Sequence, residues 1–213
     1  MKTLSENLRP FAGDRLIEWF NDLTVLWHDA VPIEPTDRFT PKGITQWVHF
    51  HNYILWHHED EVRREDLTDS EVVKQKRIID RHNQLRNDGV EQIDIWIDNL
   101  LSTTGINPPE DAEVNSETPG NIIDRLSILI LKIFHLEEEA KRNDVDAEHE
   151  HEANIRLEIL KEQSNDLAKA LDKLFLDLRR GRKKHKVYRQ FKMYNDPRFN
   201  PAVYKNKKKK KLT

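Results

Sequence analysis

Apolar residues recur along most of this chain at the three- and four-residue spacing of one helix face. No stretch sustains the alternation of a half-buried strand. Ile17, Phe20, Leu23 and Trp27 form the first such face and predict a helix from near Asp14 that ends before Pro32. A proline-containing loop over residues 31–40 follows it. Thr40-Pro41 supplies an N-cap and a first-turn proline, opening a second helix to about Glu65. Thr68-Asp69-Ser70-Glu71 is a capping box and starts a third helix running towards Leu101, with a kink or break expected at Asn87-Asp88-Gly89. Thr118-Pro119 opens a fourth helix to about Arg142 after a loop holding Gly105, Pro108 and Pro109. A fifth runs from about Asp146 to Leu178, with Ile155, Ile159, Ala168, Leu171, Leu174 and Phe175 assigned to its buried side. The expected fold is all-α: an antiparallel bundle of four to five long helices over residues 1–180. A basic, partly irregular arm over residues 181–213 follows, with 187–204 expected to pack on the bundle and 205–213 to be disordered.

Composition removes whole classes of function. The 213 residues include no cysteine, so disulfides, Cys-ligated zinc and thiol nucleophiles are excluded. Six glycines are few for a dinucleotide-binding fold, and no Walker loop, nucleophile elbow or dinucleotide fingerprint is present. No apolar run approaches the roughly 20 residues of a membrane span, and residues 1–12 hold no apolar block, which predicts a cytoplasmic protein. The net charge of −3 conceals two opposed blocks. Residues 179–213 carry 15 Lys or Arg against Asp196 alone, and residues 1–178 are acidic by 17 charges. The arm ends in Lys207, Lys208, Lys209, Lys210 and Lys211. Its possible partners are anionic inner-membrane lipid, which would hold the protein peripherally, the acidic body itself, or nucleic acid. The acidic body repels phosphate and disfavours the last.

Several polar groups do not fit a plain amphipathic pattern. In the third helix Asp80, Gln84, Asn87, Glu91, Asp94 and Asp98 form a stripe mostly opposite the apolar arc, which assigns them to solvent. His82 and Arg86 fall within that arc, with Asn83 at its edge. Ten of the fifteen residues from Ile122 to Leu136 are large and apolar, so the fourth helix reads as buried. It nonetheless carries Asp124 and His135 on one edge and Arg125 and Lys132 on another. Buried charges need partners, and two readings stay open: an ion-pair network that fixes helix register, or a polar pocket for a charged ligand. The second helix adds His51 and His58 on its apolar face, and a stripe of Asn52, Trp56, Glu59 and Arg63. His51 and His58 are about 10 Å apart along the axis, too far to ligate one ion, so no metal site is assigned to this helix. A site drawing His58 or Glu59 together with Asp124 or His135 from other helices stays open. No cofactor is assigned.

Four segments together resemble a known family. They are Leu55-Trp56-His57-His58-Glu59-Asp60 with Arg63; Lys76-Arg77-Ile78-Ile79-Asp80 leading into Asn83, Arg86, Glu91 and Asp94; residues 115–127 with Leu131-Lys132-Ile133; and residues 187–197 with Asn200, Pro201 and Tyr204. Over residues 45–204 the chain is similar to a bacterial family known only as domain of unknown function 4254. The resemblance implies no established activity; it implies a gene neighbourhood of cell-envelope glycan assembly. It also implies that the second, third and fourth helices enclose a polar cleft, with residues 188–204 as its cover or as a strap.

Three functions are therefore expected in competition. The first is a charged interhelical cleft binding an anionic nucleotide sugar or sugar phosphate in envelope glycan or lipopolysaccharide synthesis. Arg86, Asn83, Arg125, Lys132, Arg189 and Lys192 would be its ligand-binding residues, and Asp124, Glu59 and His135 its acid–base candidates. The second is a non-catalytic scaffold whose buried ions specify register. The third is a Mg²⁺-dependent helical phosphohydrolase using Glu59, Asp60, Glu91 and Asp94.

Overall fold

The computed structural model describes residues 4–189, 191, 196–202, 204 and 205. A short helix α1 (Leu4–Leu8) and one 3₁₀ turn (Arg9–Phe11) lead into α2 (Gly13–Asp29), α3 (Pro41–Glu61), α4 (Asp69–Ser102), α5 (Pro119–Ala140) and α6 (Ala147–Arg179). The fold is all-α.

Local chemistry sets the helix starts. Thr40 and Thr118 accept the N–H groups of Gly43 and Asn121 at 3.1 and 3.2 Å, each ahead of a first-turn proline. Thr68 and Glu71 exchange both bonds of a capping box. Asp146 accepts the His149 N–H at 2.8 Å and starts α6.

The ends and faces depart from expectation in three places. Helix α3 stops at Glu61 rather than Glu65: the Arg63 and Arg64 N–H groups bond back only three residues, to the Asp60 and Glu61 carbonyls at 3.1 and 3.2 Å, and the Arg64 side chain pairs with Glu61 and Asp66 beyond that turn. Helix α4 runs unbroken through Asn87-Asp88-Gly89. Gly89 is there for close approach: a Cβ on it would lie 2.6 Å from Val48 Cγ2 and 2.9 Å from the Trp47 ring. In α6, Ile155 and Ile159 are 49% and 48% exposed, whereas Ala153, Leu157, Ser164, Ala168 and Leu171 are buried. At about 100° per residue the two isoleucines stand roughly 120° or more from that stripe, so they face away from α5.

Helix α5 is central and packs against α2, α3, α4 and α6; α3 lies along α4. The main core joins Phe11, Leu16 and Phe20 to Val48, Ile93, Ile97, Ile123, Leu126, Ile130 and Leu171. A second cluster joins Leu23 and Trp27 to Phe50, Tyr53 and Leu131. Two short strands, β1 (Glu113–Val114) and β2 (Lys183–Lys184), pair in parallel and tie the α4–α5 loop to the root of the arm. A two-residue strand is too short to leave an alternating pattern. Among the described residues no helix is long and apolar enough to cross a membrane.

Candidate functional site

A cleft of about 320 Å³ opens between α3, α4 and α5. Asn52, Trp56, Glu59 and Arg63 line one wall, which is the stripe predicted from their spacing; Asn83 and Arg86 of α4 and Ile128 and Leu131 of α5 complete it. The Arg86 side chain is 22% exposed and the Asp124 side chain 14%. Their closest approach is 3.7 Å, and Arg86 reaches Asn87 Oδ1 only at 3.4 Å. Arg86 Nε is buried with no hydrogen-bond partner among the described residues. This guanidinium is poorly saturated for a partly buried cation. Burial pushes the Asp124 carboxyl above its usual range, against the opposing pull of Arg86 and Asn52.

From Asp124 a polar chain runs inward. Asn52 Nδ2 donates to Asp124 Oδ1 at 2.8 Å and to Ser127 Oγ at 3.0 Å. Ser127 donates onward to His49 Nδ1 at 2.7 Å, and His49 Nε2–H reaches the Phe20 carbonyl at 3.1 Å. His49 is wholly buried, and burial holds its pKa at about 3, so it is neutral at pH 7.

The structure does not gather all the expected ligand residues here. Arg125 is exposed and donates to both oxygens of Glu117 at 2.7 and 2.6 Å. With the exposed Lys132 it lines a separate groove beside Gln163 and Asp166 of α6, and Ile128 walls both sites. The assignment of Arg125 and Lys132 to one polar interior with Arg86 is corrected on that ground: their edge of α5 faces the surface beside α6. Glu59 lies in the cleft with an ion pair to Arg63 at 3.5 Å. Arg189 is 71% exposed and approaches Glu91 at 4.0 Å, and no described residue of the arm lines the cleft. Lys192 and Lys207 to Lys211 lie outside the described residues.

The acidic stripe of α4 also divides. Asp80 is exposed and paired with Lys76, as a solvated face requires. Asp94 is instead buried and accepts the Gly120 N–H at the start of α5, so its assignment to solvent is corrected. Among the described residues no three of Glu59, Asp60, Glu91 and Asp94 come within reach of one ion.

Residues 44–187 match the family model described as "Protein of unknown function (DUF4254)". The chain belongs to this family. No curated protein and no solved structure matches it. The DUF4254 match holds every cleft residue and ends at Val187, so residues 188–204 of the fourth segment lie beyond it.

Two histidine arrangements escaped the sequence. His51 Nδ1 and His82 Nδ1 stand 2.9 Å apart, and burial pushes both pKa values down, that of His51 to about 3. His28, His57 and His135 come together from α2, α3 and α5, each half-buried, with one ring nitrogen of each within 4.8 Å of the others. His135 thus stands here and not beside Asp124. His58 is engaged elsewhere, 2.6 Å from Gln75 Oε1. Only the order of packing brings these three rings together; His28 lies ahead of the DUF4254 match and has no second histidine at helical spacing.

Proposed function

We propose that the cleft between α3, α4 and α5 binds an anionic small molecule, a sugar phosphate or the phosphate end of a nucleotide sugar, in cell-envelope glycan or lipopolysaccharide synthesis. The observation that carries this reading is the unsaturated Arg86 guanidinium lining the cleft. A phosphate or carboxylate oxygen satisfies such a fork better than Asp124 does at 3.7 Å. Arg63 and Asn83 add a second cation and an amide, and the Trp56 indole adds an apolar wall for a sugar ring. A volume of about 320 Å³ is at the small end of ligand pockets and favours a sugar phosphate over an entire nucleotide sugar. Glu59, which lines the cleft, is its acid–base candidate; Asp124 does not line it and acts only through its contacts with Arg86 and Asn52. A larger groove of about 700 Å³ along α2 is lined by exposed charges of both signs and half-buried Trp19, with no buried polar group facing it. The envelope context rests on the family resemblance alone.

The test is a thermal-shift and calorimetric screen of sugar phosphates and nucleotide sugars, with and without Mg²⁺. A binder should lose about tenfold or more in affinity in Arg86→Lys, which keeps the charge and loses the fork. A flat screen, or binding indifferent to Arg86, returns the protein to the scaffold reading.

The Lys-rich end, outside the described residues, would bring the protein to anionic lipid at about 1 kcal/mol per basic residue. Deleting residues 205–213 should then abolish sedimentation with phosphatidylglycerol vesicles at low salt. Unchanged sedimentation would remove the peripheral-membrane role.

A further inference from the structure

We propose that His28, His57 and His135 form a binding site for one divalent transition-metal ion, zinc foremost. The three rings come from the ends of three helices packed around Tyr53 and Phe134. Their centroids are 5.1 Å apart for His28–His57, 5.1 Å for His28–His135 and 5.4 Å for His57–His135. In every ring Nε2 is buried and has no hydrogen-bond partner among the described residues. Buried polar atoms are normally partnered, so three such nitrogens in one cluster require a common explanation. One cation accepting all three lone pairs supplies it.

The outer atoms support the same assignment. His28 Nδ1 is 2.7 Å from the Thr24 carbonyl, so Nδ1 carries the proton and Nε2 the lone pair. His135 Nδ1 is 3.0 Å from Glu138 Oε2, the carboxylate–histidine arrangement that fixes a ligating tautomer and raises its basicity. Aromatic rings flank the cluster: His28 stacks on Phe134 at 4.2 Å, and His135 lies 4.9 Å from Trp56 with the planes 4° apart.

Three protonated histidines would instead make an anion site. The Thr24 carbonyl and the Glu138 carboxylate each accept the Nδ1–H of their ring, which leaves Nε2 of His28 and of His135 with its lone pair. The Asp60 carboxylate acts on His57 and His135 and adds negative potential that favours a cation. An all-nitrogen donor set excludes Mg²⁺ and Ca²⁺, which take oxygen, and suits zinc and its neighbours. Zinc–nitrogen bonds of about 2.0–2.1 Å need the nitrogens about 3.3 Å apart, a closure that small side-chain rotations supply. Three protein ligands leave a position for water, as in exchangeable rather than closed sites. The site is separate from the cleft, though Trp56 touches both.

The experiment is a Co²⁺ titration of the untagged, chelator-treated full chain, followed by visible absorption and then Zn²⁺ displacement. The expected result is one equivalent of Co²⁺ with the intense bands of four-coordinate cobalt, bleached by zinc. His28→Gln, His57→Gln and His135→Gln should each weaken binding by about 100-fold or more, and Glu138→Gln by about 10- to 100-fold. His58→Gln, His151→Gln and Arg86→Lys should leave it unchanged, which separates this site from the cleft. Circular dichroism identifies any variant that fails to fold, and Glu138→Gln, on the surface, decides in that event. Binding without a single saturable equivalent, or with the same affinity in His57→Gln and Glu138→Gln, overturns the site.

Discussion

The carboxylate of Asp94 accepts the backbone N–H of Gly120 at 2.8 Å, joining the C-terminal third of α4 to the first turn of α5. Negative charge at a helix N-terminus is favourable, and Gly120 leaves room for it: a Cβ there would lie 2.6 Å from the Val90 carbonyl. Asp94→Ala strands the buried N–H and should cost about 1–3 kcal/mol in chemical denaturation, with Asp94→Asn costing less. Gly120→Ala should destabilise by a similar amount through overpacking. Wild-type stability in both alanine variants would show that the junction is held elsewhere.

Gly89 makes a sharper contrast between propensity and packing. Alanine is the better helix former by about 1 kcal/mol, yet its Cβ would collide with Val48 and Trp47 of α3. Gly89→Ala should therefore lower the melting temperature by several degrees, as expected for a net loss of about 1–3 kcal/mol. A higher melting temperature would mean that α3 and α4 separate freely.

Acid should weaken the fold between about pH 6.5 and 4. His49, His51 and His57 are held neutral, at pKa values of about 3, 3 and 4, and each takes a proton on unfolding. Their folded pKa values lie below the unfolded one, so this stability is complete above pH 6.5 and is lost as pH falls. Wholly buried His49 alone contributes a slope of up to about 1.4 kcal/mol per pH unit. Asp94 and Asp124 act oppositely, since burial raises their pKa values and protonation relieves them. Melting curves from pH 8 to 4.5 test this; His49→Gln should flatten the slope, and an equal midpoint at pH 7 and 5 would refute it.

Removing Arg86 leaves the Asp124 charge with Asn52 alone. Arg86→Ala should cost about 1–3 kcal/mol, less than a fully buried pair because both side chains keep some solvent contact. Adding Asp124→Asn should recover part of that loss. Additive losses measured in denaturant would show that the two groups do not interact.

The five long helices were legible because capping and periodicity are local: Thr40, Thr68, Thr118 and Asp146 each act within three residues; the five-residue α1 was not, being too short to repeat a face. The wall of Asn52, Trp56, Glu59 and Arg63 was legible for the same reason. The fate of Asp94 was not, since nothing near it in sequence announces Gly120. Arg125 and Lys132 misled because ten apolar residues among fifteen suggested burial on all sides, while α6 covers α5 only in part. The His28, His57 and His135 group depends on the ends of three helices meeting, which no spacing within one helix encodes.

The parallel pairing of Glu113–Val114 with Lys183–Lys184 also has a mechanical meaning. All of α5 and α6 lies within the loop that this short ladder closes. His185 adds a bond to the Asp94 carbonyl at 3.0 Å. Tension on the C-terminal tail is therefore delivered first to the junction of α4 and α5 and not to the last turn of α6. From Gly120 to His135 is about 22 Å along α5, so a load on the tail reaches the histidine cluster only after that junction has yielded.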